Sequence, residues 1–130
     1  MTLVVDASVA LWASGAGTWS PLASETLIAP ALMWSEATSS LHEAVWRREV
    51  SAPRARDVLA RLQRAPVRAR THRRLHATAW EIAEELGWAK TYDAEYVALA
   101  RLLGARVVTL DARLRRDTDR LGVVVLPEEL

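Results

Sequence analysis

Short apolar runs alternate along the chain with longer segments of helical periodicity. In four of these runs the apolar residues are consecutive and do not alternate with polar ones. This pattern is typical of strands that are buried on both faces. We predict these strands at Thr2–Val5, Thr26–Ala29, Arg106–Leu110 and Gly122–Leu126. A basic connector, residues 67–74, offers one further extended segment at Val67.

Between the strands, apolar residues recur at intervals of three and four, which predicts amphipathic helices. Ser51 and Thr91 can cap the starts of two helices, and Gly87 and Gly104 follow the ends of two. The predicted helices cover residues 9–13, 20–25, 31–50, 52–65, 75–86, 92–103 and 112–116.

Apolar strands that alternate with helices indicate a parallel sheet covered by helices on both faces. We therefore expect an α/β fold, a three-layer α/β/α sandwich around a small parallel sheet of four or five strands. No internal repeat or low-complexity linker divides the chain. Residues 1–130 are predicted to form a single domain, which is long enough to bury one core.

The composition limits the environment in which the chain is expected to work. Hydrophobic residues make up 51% of the sequence and charged residues 25%, as is usual in globular proteins. There is no cysteine, and no apolar run is long enough to span a membrane. The N-terminus lacks the basic stretch of a signal peptide. These features predict a cytoplasmic protein without a membrane partner.

Four acidic residues are predicted to meet at one edge of the sheet. Asp6 directly follows the first strand, and Asp111 directly follows Arg106–Leu110. Asp93 lies in the first turn of the helix that leads into Arg106–Leu110, and Glu36 lies early in the helix entered from the second strand. Because open parallel sheets bind ligands at the carboxyl ends of their strands, these four carboxylates define a candidate site.

Neighbouring carboxylates raise one another's pKa and repel, so such a cluster needs a counter-charge. A hard divalent cation supplies it, because Mg²⁺ and Mn²⁺ prefer carboxylate, water and phosphate oxygens. The simpler interpretation is that each acid caps a helix and does nothing more; Asp6 or Ser8 can cap the first one. Apart from the four acids, the chain carries 17 basic and 12 acidic residues, which suits a polyanionic substrate.

Four segments resemble motifs of the PIN-domain ribonucleases, and among these the VapC toxins of bacterial type II toxin–antitoxin pairs. They occur in the order found in that family and are Val4–Ser8, Pro30–Ala37, Tyr92–Ala100 and Val108–Asp111. The resemblance implies a PIN-like fold, a Mg²⁺ cofactor for which Mn²⁺ can substitute, and endonucleolytic cleavage of RNA.

The resemblance also assigns residues and partners. The family's quartet of catalytic and metal-binding acids is matched by Asp6, Glu36, Asp93 and Asp111. Two hydroxyl positions that support the site are matched by Ser8 and Thr109. A homodimer is implied, as is a small antitoxin protein whose tail covers the pocket. Tryptophan is frequent, and we expect Trp80 to fill the core, whereas other tryptophans could anchor a partner.

Two other functions stay open at this point. A catalytically inert PIN-like binding module is expected to lack one or more of the acids, and none is missing here. A flavodoxin-like Mg²⁺-dependent phosphatase is expected to have a second aspartate two residues after Asp6, where this chain has Ser8. We interpret Asp117 and Asp119 as parts of a solvated turn, and the arginines of 68–74 as either phosphate contacts or a solvated loop.

Overall fold

The computed structural model describes all 130 residues, Met1–Leu130. Its strands are β1 (Thr2–Val5), β2 (Thr26–Ala29), β3 (Arg68–Ala69), β4 (Arg106–Val108) and β5 (Val124–Val125). Its helices are α1 (Ala7–Ser14), α2 (Leu32–Trp46), α3 (Ala52–Gln63), α4 (Leu75–Leu86), α5 (Tyr92–Leu103) and α6 (Ala112–Asp117). Short 3₁₀ turns lie at Ser20–Leu22, Asp119–Leu121 and Pro127–Glu129.

The five strands form one parallel sheet in the order β3-β2-β1-β4-β5. At its centre, Val4 pairs with Ile28 of β2 on one side and with Val107 of β4 on the other. The direction in which strands are added reverses between β1 and β4, and ligands of open parallel sheets bind beside such a reversal. The order differs from the flavodoxin-like order 2-1-3-4-5, so the chain does not have the flavodoxin-like fold that the phosphatase alternative requires.

Helices cover both faces of the sheet, which confirms the predicted three-layer α/β/α architecture. Helices α1, α2 and α3 pack on one another, and α4 and α5 form a second packed pair. Right-handed crossovers put the two groups on opposite faces. Side chains of the central strands, such as Leu3 and Val107, are fully buried between them, as is Tyr96 of α5. No helix combines the length and the apolar character needed to cross a membrane.

Two predicted strands are shorter in the structure. β4 ends at Val108 because the backbone N–H of Leu110 donates to the Ser8 hydroxyl (3.1 Å) instead of continuing the strand. β5 begins after Gly122, whose left-handed conformation (φ 69°) belongs to a turn and not to a strand. The extended segment predicted at Val67 is β3, one residue further on.

Most helices begin within two residues of their predicted starts, and the differences concern their caps and one short helix. α1 begins two residues early, at Ala7, because Asp6 is its cap and accepts from the backbone N–H of Val9. Ser51 caps α3 as predicted, whereas Thr91 precedes α5 without making a side-chain hydrogen bond to it. The helix predicted over residues 20–25 is only a 3₁₀ turn.

Helix ends depend on single residues with a left-handed backbone. Gly87 (φ 71°) and Gly104 (φ 66°) end α4 and α5, as predicted. α2 ends at Trp46 and not at Val50, and Arg48 takes up the left-handed conformation (φ 60°) just beyond it. The prediction that Trp80 fills the core is wrong, because its side chain is 64% exposed on the outer face of α4.

Candidate active site

Asp6 is the most buried acid of the site and the most completely hydrogen-bonded. It lies at the end of β1 and is only 7% exposed. Its Oδ1 accepts from the Ser8 hydroxyl (2.6 Å) and from the backbone N–H of Val9 (3.1 Å), and its Oδ2 accepts from the Thr109 hydroxyl (2.5 Å). These donors hold the carboxylate in one orientation.

The Ser8 and Thr109 hydroxyls join the ends of β1 and β4. Ser8 accepts from the backbone N–H of Leu110 (3.1 Å), and Thr109 accepts from the backbone N–H of Asp111 (3.0 Å). The two hydroxyl oxygens are 3.5 Å apart. Each hydroxyl therefore donates to Asp6 and accepts from the turn after β4, so the sheet edge is held as one network.

Glu36 lies in the second turn of α2, half-buried, and its Oε1 accepts a hydrogen bond of 2.5 Å from the Tyr96 hydroxyl. Burial raises the pKa of Glu36, and the charges of Asp93, Asp6 and Glu95 raise it further, against the lowering effect of the Tyr96 hydrogen bond. Burial and the adjoining Glu36 carboxylate hold the pKa of Tyr96 far above its usual range. Tyr96 is therefore a permanent donor to Glu36.

Tyr96 is the main residue that the sequence interpretation missed. The sequence alone shows it as one more apolar position of the helix predicted over residues 92–103. A signal was available, because Tyr96 follows Asp93 by three positions and so lies on the same side of α5. A tyrosine at that spacing can donate a hydrogen bond to a group on the same side of the helix as Asp93, and in the structure that group is Glu36.

Asp93 and Asp111 occupy helix starts beside the same edge. Asp93 lies in the first turn of α5, where surrounding protein atoms remove part of its hydration and raise its pKa. Asp111 raises that pKa further, and Arg113 lowers it. Asp111 itself caps α6, since its Oδ1 accepts from the backbone N–H of Arg113 (2.9 Å) and Leu114 (3.2 Å). Its Oδ2 accepts no hydrogen bond from the protein.

The four predicted acids thus form one electrostatic group. Burial is the main cause of the raised pKa values of Asp6, Glu36 and Asp93. Asp93 raises the pKa of Asp6 and Glu36 further, and Asp111 does the same for Asp93. None of the four is ion-paired with an arginine or lysine. No three histidine or acidic side chains of the chain are close enough together to bind a metal ion directly. The site therefore presents four carboxylates that form no ion pair, without the close grouping of three or more ligands that a closed metal site has.

This donor set fits a hard divalent cation better than a transition metal. All four side chains offer carboxylate oxygens, which are the ligands that Mg²⁺ prefers, and Mg²⁺ usually keeps several waters in place of further protein ligands. The cap interpretation also holds for two of the acids, Asp6 and Asp111, which both cap helices. Capping uses one oxygen of Asp111 and leaves the other available, so the two roles are compatible.

A cleft of about 470 Å³ opens onto Glu36 and Asp93. Its other walls come from the loop between α4 and α5, from the start of α5 and from α6. Asp117 is exposed, as predicted, and is the last residue of α6, where it also lines the cleft. Asp119 pairs with Arg115 on the surface. The remaining lining residues are Gly87, Trp88, Ala89, Lys90, Tyr92, Arg113 and Leu114.

The raised pKa values predict how stability depends on pH when no divalent cation is present. Asp6, Glu36 and Asp93 hold protons more tightly in the folded chain than in the unfolded chain. Their contribution to stability is therefore complete below their ordinary pKa values, near 4, and is lost as the pH rises through the raised values. In EDTA, the melting temperature of Asp93→Asn should fall less steeply than that of the parent chain between pH 4 and 7. Equal slopes would contradict the raised pKa of Asp93.

Comparison with known proteins agrees with this geometry. The PIN domain family model matches residues 3–118. Ribonuclease VapC9 of Mycobacterium tuberculosis and a VapC ribonuclease of Mycobacterium bovis are each 37% identical over 114 residues, covering 86% of this chain and 87% of theirs. The crystal structure of PAE2754 from Pyrobaculum aerophilum has a similar fold, with a TM-score of 0.75 at 23% identity over 99% of this chain and 91% of that one.

The chain therefore belongs to the PIN-domain family. Within that family it is of the VapC type.

Proposed function

We propose that the chain is a metal-dependent endoribonuclease and the toxin of a type II toxin–antitoxin pair. The observation that carries the proposal is the group of four unpaired carboxylates at the carboxyl edge of the sheet. The relatives named ribonuclease support RNA as the substrate. An RNA substrate agrees with the cytoplasmic location that the sequence predicts.

The cation is expected to be Mg²⁺, with Mn²⁺ as a substitute, and Asp6, Glu36, Asp93 and Asp111 would hold it directly or through water. When bound, it would lower the pKa of a water molecule and neutralise charge on the scissile phosphate. The hydroxyls of Ser8 and Thr109 would orient Asp6, because they donate to both of its oxygens. The same hydrogen bonds favour the ionised carboxylate and so oppose the burial that raises the pKa of Asp6.

Glu36 is suited to take the proton from the attacking water. A general base works best when its pKa lies near the working pH, and burial raises the pKa of Glu36 in that direction. Tyr96 occupies Oε1 and leaves Oε2 free for the water. In-line attack would leave a 5′-phosphate and a 3′-hydroxyl on the two RNA products.

The partners follow from the same proposal. The toxin's partner would be a small antitoxin, and an antitoxin that covers the carboxylate edge would exclude RNA and cation together. A homodimer is also expected. Size measurements on the isolated chain, and on the chain expressed with its neighbouring reading frame, separate the two assemblies.

Removal of the cation tests the proposed function. With Mg²⁺ or Mn²⁺, the chain should cut RNA and produce fragments with 5′-phosphate ends, and EDTA should reduce the rate to background because no side chain can replace the cation's charge. Calorimetric titration with Mn²⁺ should give heat above that of buffer. Full cleavage in EDTA would contradict metal dependence, and absence of both heat and cleavage would favour the inert binding module.

Tyr96→Phe tests the assigned role of the hydrogen bond to Glu36. The change removes one hydroxyl and leaves the buried ring, so Glu36 loses its orientation and the affinity for Mn²⁺ should fall about 10-fold or more. Calorimetry measures this directly. Thr118→Val is the matched control, because it removes a buried hydroxyl that donates to the Leu114 carbonyl (2.7 Å). An equal loss of Mn²⁺ affinity in both variants would show a general structural effect.

A further inference from the structure

Besides Glu36 and Asp93, the cleft is lined by aromatic and basic side chains that have no role in the proposed function so far. The segment 87–92, which joins α4 to α5, brings Trp88, Lys90 and Tyr92 to the cleft, and α6 brings Arg113. We name these four residues the cleft wall. They line the same cavity as Glu36 and Asp93, so a molecule that fills the cavity contacts both groups of residues.

The two cations of the cleft wall are unpaired. Lys90 is the only lysine of the chain, and neither it nor Arg113 forms an ion pair, although the chain carries 16 acidic residues. Both side chains are exposed. Exposed cations beside a group of carboxylates are suited to the phosphates of a polyanion that approaches those carboxylates.

The two aromatic rings of the cleft wall differ in exposure but line the same cavity. Trp88 is half-buried and packs against the core, which makes it a fixed surface. Tyr92 is 53% exposed at the start of α5, one residue before Asp93. An exposed ring next to unpaired cations is typical of sites that bind unpaired nucleotides, where bases stack on aromatic side chains and the backbone follows the positive charges.

We propose that the cleft wall is a nucleotide subsite for single-stranded RNA. One unpaired base stacks on Tyr92 against Trp88, and Lys90 and Arg113 bind the phosphates on either side of it. Duplex RNA is a poor occupant because its bases are already stacked on each other. This inference rests on the proposed function for the identity of the polymer. It adds to it the residues that select an unpaired nucleotide next to the bond that is cut.

Asp117 lines the same cleft and opposes the binding of phosphate. Its carboxylate lies at the end of α6 and forms no ion pair. The subsite therefore predicts effects of both signs. Substitution of Lys90 or Tyr92 should weaken the binding of RNA, and Asp117→Asn should strengthen it by removing a like charge.

Polarisation of a fluorescein-labelled single-stranded 12-nucleotide RNA, measured in EDTA, tests the subsite without cleavage. Tyr92→Ala should raise the Kd about 10-fold through lost stacking, and Tyr92→Phe should bind as the parent chain does. Lys90→Gln should reduce the slope of log Kd against log salt concentration by about 0.7. A blunt duplex of equal length should bind more weakly than the single strand and respond less to Tyr92→Ala.

Two exposed residues outside the cleft wall serve as matched controls. Trp46→Ala removes an aromatic ring that is 83% exposed, and Arg54→Gln removes an unpaired cation; both should leave the Kd within twofold. The subsite is overturned if Tyr92→Ala and Lys90→Gln bind like these controls, or if the duplex binds as tightly as the single strand. The expected binding pattern in a chain that cuts no RNA would support the subsite and contradict the nuclease. If the chain cuts RNA but its Kd does not change in Tyr92→Ala and Lys90→Gln, the result would support the nuclease and contradict the subsite.

Discussion

Asp93→Asn is expected to reduce Mg²⁺-dependent RNA cleavage by about 10³-fold or more while the chain stays folded. The asparagine keeps the size of the side chain but removes a charge that the proposed cation needs. The same change removes the repulsion that Asp93 exerts on Asp6 and Glu36, so the melting temperature in EDTA should rise. Initial rates on a labelled RNA and thermal scans in EDTA measure the two effects.

A lower cleavage rate together with a higher melting temperature would show that a catalytic charge was lost, because a damaged fold would lower both. Asp57→Asn is the matched control, because Asp57 is an exposed aspartate of α3 that forms no ion pair. It should leave both the rate and the melting temperature unchanged. If Asp93→Asn cuts RNA as fast as the parent chain, the assignment of the site is wrong.

Thr109→Val is expected to have the largest effect on stability among the changes to the site. The Thr109 hydroxyl donates to Asp6 and accepts from the backbone N–H of Asp111, and both bonds are lost in a side chain of the same shape. Thr109 is fully buried, so water cannot replace the hydroxyl. The expected cost is about 2 kcal/mol, which corresponds to a melting temperature lower by about 5–10 °C.

The loss of the Thr109 hydroxyl should also change the pKa of Asp6. Without the Thr109 donor its pKa rises further, because that hydrogen bond favours the charged form. Mn²⁺ binding at pH 6 should therefore weaken more than binding at pH 8. Thr109→Ser keeps the hydroxyl and should restore most of the stability and the binding at both pH values. A serine variant as damaged as the valine variant would mean that packing of the methyl group matters and the hydrogen bonds do not.

The sequence predicted the fold well because its signals are local. The apolar runs of β1 and β2 and the glycines at 87 and 104 mark element boundaries that depend only on neighbouring residues. β4 and β5 were predicted too long because their ends depend on partners elsewhere in the chain. Leu110 leaves the strand to donate to Ser8, which lies more than a hundred positions earlier.

The site divides in the same way. Asp6, Glu36, Asp93 and Asp111 were predicted to meet because each follows a strand or lies in the first two turns of a helix, which a sequence pattern can locate. Tyr96 was missed because its hydroxyl acts on Glu36, sixty positions away and on a different helix. The cleft wall was missed for the same reason. Its residues come from the α4–α5 loop, the start of α5 and α6, and nothing local distinguishes their side chains from ordinary exposed ones.

The sequence by itself therefore determined the order of elements, the parallel sheet and the four acids, since period, caps and strand ends are properties of short segments. Only the tertiary structure decided which hydroxyls donate to the acids, which neighbouring charges raise the pKa of Asp6, Glu36 and Asp93, and which cations and rings line the cleft beside Glu36 and Asp93. Those properties depend on distances between distant parts of the chain and on the water that folding removes. Asp6 shows both: the sequence located it after β1, and the fold buried it against Thr109.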